Sequence, residues 1–376
     1  MHEPAPSMNL QMYINSTLKE QYVENNSYAS FPYNSVLGGE EEFEYPYYGD
    51  TLAKYRYAYN SIHGYLSFSC CIFGITANIL NIIVLTRKNM ISPTNAILLG
   101  LAVSDIFVMS SYLPFTYHHY IRSHVREEDQ FSYGWAVFTL FHHPFTLISH
   151  TIYTWLTVTV AIWRFLAVRF PQNSTVWCSM ARAKCAILAT YLVCPLFGIP
   201  GYLSSTIVPA TSTDAAIIYF VHFSRISQLH NKLLQNMFFW ISSVTMKLVP
   251  CVALTGISFG LIKVLYERNL RRQRLRADVD RNHDRTTRML LAVLMLFLLT
   301  EFPSGLLALL SGILGTKFFH HVYSNFGETM DILALMNNAI NFIIYCTMSQ
   351  QFRNTFANLF LPSFFKSPTI VSASTV

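Results

Sequence analysis

The sequence predicts an all-α membrane protein: a seven-transmembrane helix bundle followed by a short amphipathic eighth helix. Three observations carry this. Only 12% of the 376 residues are charged and 52% are hydrophobic, whereas soluble domains carry about 25% charged residues. Mean hydropathy is positive, at +0.32. Seven apolar runs each reach the length of about 20 residues that a span requires, and an isolated segment in lipid satisfies its backbone only as a helix.

The elements follow in order. Residues 1–58 form a polar leader rich in Tyr, Asn and Glu, without the apolar stretch of a cleavable signal. Gly64–Thr86 carries no charge, and Pro93–Ile121 holds only Asp105. Tyr133–Trp163 is uncharged apart from its histidines, and Cys185–Val208 is uncharged. Leu233–Ile262 holds only Lys247, Met289–Thr316 only Glu301, and Phe318–Ser349 holds Glu328 and Asp331. The seven spans fall within residues 59–349. Residues 350–361 then place Phe352, Phe356 and Phe360 at i, i+4 and i+8, with Arg353 nearby. That stripe suits a helix lying in the membrane interface; the alternative is a disordered segment. Residues 362–376 form a tail, and no Cys follows Cys346 to carry a palmitoyl anchor.

Charge bias sets the expected orientation. Arg87, Lys88, Arg169, Arg182, Lys184, Arg353 and the basic stretch 268–288 fall on one side, which is therefore cytoplasmic. The leader then lies outside a plasma membrane, and it is acidic, with 8 acidic against 3 basic residues. Its sequons at Asn15 and Asn25 are open to glycosylation, whereas Asn173 falls on the cytoplasmic side. The acidic run 40–50, with Tyr45, Tyr47 and Tyr48, is either a sulfation context that attracts a basic peptide or a solvated leader. The net charge of +6 is no nucleic-acid signal, because 9 of the 26 basic residues lie between Lys263 and Arg288, beside apolar runs. Seven cysteines, mostly inside those runs, give no disulfide framework.

Polar residues inside spans are costly and mark networks or sites. Asp105, Asn78, Asn337 and Asn341 lie at comparable depth, as a hydrogen-bond network or as a cation site. Lys247 and Glu301 are each the sole charge of their span, near Pro250 and Pro303. A Lys247–Glu301 pair would relieve both; the alternative is a snorkelling or neutral Lys247. Pro200, Pro250 and Pro303 each free a carbonyl and permit a kink. The doublets His118-His119, His142-His143 and His320-His321 are either polar-tipped packing or metal ligands, and adjacent histidines diverge by about 100° on a helix. Neither H-E-x-x-H nor G-x-S-x-G occurs, so no enzyme chemistry and no cofactor are expected. A transporter, a channel or a haem or metal membrane protein remains the alternative class.

In order along the chain, Gly74-Ile-Thr-Ala-Asn78, Leu101-Ala-Val-Ser-Asp105, Trp163-Arg164-Phe165, Pro250, Phe297-Leu-Leu-Thr-Glu301-Phe-Pro303 and Asn341-Phe-Ile-Ile-Tyr345 resemble the span motifs of rhodopsin-like G-protein-coupled receptors, over roughly residues 59–360. The departures, together with Lys247-Leu-Val-Pro-Cys251 and Leu85–Asn95, are similar to the invertebrate myosuppressin and sex-peptide receptor group and its nematode relatives. The resemblance implies a receptor for a short amidated peptide, many such peptides ending in Arg-Phe-amide, that couples to a heterotrimeric G protein of the Gi/o class. It also implies that Asn78, Asp105, Asn337, Asn341, Tyr345, Pro250 and Pro303 form the switching core, and that Arg164 contacts the G protein. Asp284 would restrain Arg164 when inactive, since Trp163 replaces the usual local Asp. Arg271 and Arg272 would contact the G protein or anionic lipid.

Other departures narrow the expectation. Thr139 stands where the family has the third-span Cys, and residues 203–232 hold no Cys, so no staple and a looser outer loop are expected. Tyr153 replaces the Ser of the family's sodium site. Span seven has no Lys for retinal, and Thr146 replaces the amine counter-ion; peptide remains. Asp331, three turns before Asn341, and Glu328, one turn further out, would hold a cationic peptide end, with Lys247 and Glu301 deeper in the same site. Asp331 could equally pair internally with a His or Lys. The terminal Ser374-Thr375-Val376 fits a PDZ groove or an ordinary Ser/Thr tail read by kinases and arrestins.

Overall fold

The computed structural model describes residues 49–122, 126–211, 216–227, 234, 237, 240–275, 281–314, 318 and 321–360. Asn15, Asn25, Tyr45, Tyr47, Tyr48, His320, Ser374 and Val376 lie outside them. The helical backbone of Arg271, Arg272 and Asp284 is described and their side chains are not. Among the described residues the bundle comprises α1 Gly49–Leu85, α2 Pro93–Thr116, α3 Tyr133–Arg169, α4 Met180–Ser204, α5 Val249–Leu275, α6 Arg281–Leu314, α7 Gly327–Met348 and the amphipathic α8 Gln350–Phe360. Six of these are long and apolar enough to cross a membrane, and α6 contains the apolar stretch Leu298–Ser311.

The packing order follows from the apolar faces. The central helix is α3, against α2, α4 and α5; α1 lies on α2 and α7, and α6 on α5 and α7. Ile152, Tyr153, Leu156 and Val160 of α3 meet Ile97 and Leu101 of α2 and Leu254 and Leu261 of α5 in the main core. Cys71, Met109, Tyr112, Ile332 and Leu335 form a second core between α1, α2 and α7. At the α1–α2 crossing, a Cβ on Gly74 would collide with the Met109 thioether, so glycine sets how closely these helices approach. Leu188, Leu192, Leu196, Phe259 and Leu299 are exposed, as lipid-facing side chains are.

Several boundaries differ from the sequence expectation, each for a local reason. The first helix begins at Gly49, well before Gly64. Its added turns are held by Tyr55, which donates to or accepts from Thr329 at 2.8 Å and packs on Phe326, and by Arg56, paired with Glu328 at 3.4 Å. The third helix runs on to Arg169, so Arg164 lies inside it rather than at its end. The fourth ends at Ser204, because Ser205–Thr211 form β1, antiparallel to β2 Ile217–Phe223. The all-α expectation thus gains one hairpin. The start of α2 is set by Ser92, which accepts from the Asn95 N–H at 3.1 Å, and by Pro93 in the first turn.

Prolines shape the interior. Pro200 and Pro303 lie inside α4 and α6. Pro250 is the second residue of α5, directly after π-helical turns over Ile241–Leu248. Pro114, inside α2, has the opposite order and precedes a π-helical segment, Tyr117–Ile121. A proline removes one ladder bond, and widened turns absorb the mismatch.

Candidate ligand site

The hairpin and Phe115, His142, His143 and Asp331 all lie toward one end of the bundle. There a cavity of about 240 Å³ is lined by α2, α3, α6, α7 and the π-helical lead into α5. Its aromatic wall is Phe115 stacked on His142 with centroids 4.4 Å apart, beside Tyr112. His142 is fixed by Ser111, whose hydroxyl lies 2.8 Å from its Nδ1.

Asp331 is accessible and lines the cavity. Its Oδ2 accepts from the Tyr112 hydroxyl at 3.3 Å, and His63 Nε2 lies 3.3 Å from the same hydroxyl. Among the described residues no cation pairs with Asp331. It therefore presents a carboxylate to the cavity, positioned by a phenol. Glu328 is not a free acid beside it, because Arg56 of α1 pairs with it at 3.4 Å.

The floor corrects the expected Lys247–Glu301 pair. Glu301 is 5% exposed and its Oε2 pairs with His150 Nε2 of α3 at 3.1 Å. Lys247 Nζ instead donates to Ser304 Oγ at 2.7 Å. The reason is rotational. Glu301 and Ser304 are three residues apart on one face of α6, so two partners from different helices share that face. His150 escaped the sequence reading because a neutral histidine leaves no charge signature.

Below the cavity, Asn341 Nδ2 donates to Asp105 Oδ2 at 3.3 Å, and Asn78 donates to the Asn338 carbonyl at 3.1 Å. Asp105 and Asn337 are fully buried. Asp105 Oδ1, Asn341 Oδ1 and both amide atoms of Asn337 have no protein partner among the described residues. Unsatisfied atoms of this kind are costly unless solvated. Tyr153, fully buried, fills the core beside this network, and Tyr345 is buried nearer the far end.

At that far end Arg164 and Trp163 carry buried Nε and Nε1 atoms without a partner among the described residues. Trp163 packs on the main core, and its carbonyl accepts from Cys178 Sγ at 3.7 Å. The Phe stripe of α8 turns mostly inward rather than into an interface: Phe352 is 1% exposed and packs on Phe342 and Tyr345, and Phe356 packs on Phe342. Phe360 is exposed.

All seven cysteines are free thiols. The hairpin is nevertheless not loose. Tyr219 N–H donates to the Phe131 carbonyl at 2.9 Å, and the ring pairs Phe131–Phe220 and Tyr133–Tyr219 fasten β2 to the start of α3.

Residues 65–362 match the family described as serpentine type 7TM GPCR chemoreceptor Srw. The chain belongs to this family of seven-transmembrane G-protein-coupled receptors. It is a receptor and not an enzyme. The receptor is 30% identical to the G-protein coupled receptor dmsr-1 of Caenorhabditis elegans, over 81% of this chain and 69% of that one. It is 25% identical to the sex peptide receptor of Drosophila melanogaster, over 80% and 72%. It is 23% identical to the FMRFamide receptor of the same fly, over 77% of this chain and 52% of that protein.

Proposed function

We propose that the receptor sits in the plasma membrane with the hairpin end outside, binds a short amidated peptide in the cavity and activates a heterotrimeric G protein at the Arg164 end. The observation that carries the reading is the cavity's charge arrangement: one accessible carboxylate, Asp331, held by Tyr112 beside an aromatic wall. A guanidinium suits the carboxylate and a phenyl ring suits Phe115 and His142. An Arg-Phe-amide end supplies both groups. The cavity volume of about 240 Å³ holds the end of a peptide, not its whole length, so the remainder would lie against the hairpin. Relatives named for peptide ligands, the sex peptide receptor and the FMRFamide receptor, support the same class.

The orientation follows the basic residues of the Arg164 end and leaves Asn15 and Asn25 available for glycosylation. Arg271, Arg272 and Asp284 are read as parts of the G-protein face, and Ser374 and Val376 as a tail motif for a PDZ domain or for arrestin. The test is a panel of amidated peptides applied to receptor-bearing membranes with nucleotide exchange on a G protein as the readout. Activation by peptides ending in Arg-Phe-amide is expected. Activation by a small odorant-like molecule and by no peptide would replace this reading with the chemoreceptor one.

A further inference from the structure

Glu301 is the least satisfied polar group in the cavity. Its Oε2 is taken by His150, while its Oε1 is buried with no hydrogen-bond partner among the described residues. The residue lines the cavity, so the orphaned acceptor belongs to a side chain of its floor. An acceptor left unpaired at such depth costs free energy until a donor reaches it. Ser304, on the same face of α6, carries Lys247. The ammonium has three donors, and Ser304 takes one. The lining of the cavity therefore holds both an unpaired acceptor and an ammonium with donors to spare.

We propose that this floor reads the carboxamide at the ligand's C-terminus: Glu301 Oε1 accepts a carboxamide N–H, and Lys247 donates to the carboxamide oxygen. This rests on the reading that a peptide end enters the cavity. A primary carboxamide is the terminal group that carries both an N–H donor and a neutral acceptor. A free carboxylate matches Lys247 but brings a second negative charge to Glu301 and leaves Oε1 without a donor. A methyl ester keeps the neutral carbonyl, removes the N–H donors and adds one methyl group. The arrangement discriminates by what it leaves unpaired, which is how polar pockets reject analogues that lack a hydrogen. It also accounts for the His150 partner, which holds the Glu301 carboxyl in place while leaving its second oxygen open.

The experiment compares Phe-Met-Arg-Phe-amide with its methyl ester and its free acid in the nucleotide-exchange assay. On the unaltered receptor, the amide should exceed both the ester and the acid in potency by at least about tenfold. In Glu301→Gln the amide-to-acid potency ratio should fall by at least about tenfold, since the like charge is gone and the new amide donates to a carboxylate. The ratio is read within one receptor, so expression and folding cancel. An ester as potent as the amide on the unaltered receptor overturns the inference, as does an unchanged ratio in Glu301→Gln. Silence of all three forms on a receptor that reaches the cell surface overturns the peptide reading and this inference with it.

Discussion

At the scale of single residues, the question is which partner holds the charge of α6. The His150–Glu301 contact of 3.1 Å makes a specific claim against the Lys247–Glu301 alternative. Double-mutant cycles on thermal stability in detergent should show coupling for His150→Phe with Glu301→Gln, and weaker coupling for Lys247→Met with Glu301→Gln. Leaving a buried polar group without its partner costs about 1–3 kcal/mol, more where it is charged, so the single variants should lower the midpoint clearly. Equal couplings would return Lys247 to the role of direct partner. The sequence made the charges themselves legible, because Asp105, Lys247 and Glu301 stand alone in apolar runs, Asp331 shares its run only with Glu328, and each demands an explanation in lipid. Their partners were not legible. His150 carries no formal charge in the sequence, Tyr112 reads as one more aromatic, and Arg56 sits in what reads as a leader, although it is the residue that takes Glu328.

At the scale of elements, seven helices were legible from apolar length, and their ends were not. Charge at Lys54 and Arg56 hides the first turns of α1, which persist because Tyr55 and Arg56 bond the start of α7. The hairpin was hidden because its β-branched and aromatic residues continue the apolar run of α4. Its attachment to α3 takes the place of a covalent staple, through one backbone bond and two ring pairs. Aromatic pairs are worth about 0.5–1.5 kcal/mol each beyond their burial. Phe220→Ala should therefore speed hydrogen exchange of the amides in β2 while leaving α3 amides unchanged. Unaltered exchange in β2 would show that the strand pairing alone holds the hairpin. The inward turn of Phe352 and Phe356 ties α8 to α7.

At the scale of the molecule, the ligand cavity and Arg164 lie toward opposite ends, joined by α3 and α6 and by the Asp105–Asn341 network between them. On the proposed function, a two-state shift of these helices would let one end bias the other. Arg164→Ala should abolish nucleotide exchange and leave peptide binding within about twofold; full exchange by that variant would remove Arg164 from the coupling face. The most direct test of the central claim pairs the receptor carboxylate with the ligand guanidinium. Asp331→Asn and replacement of the peptide's Arg by citrulline should each lower affinity by at least about tenfold, near 1.4 kcal/mol, and together should lower it no further than one alone. Additive losses, with both receptors at normal surface density, would contradict the assignment of Asp331 as the residue that holds the ligand's cation.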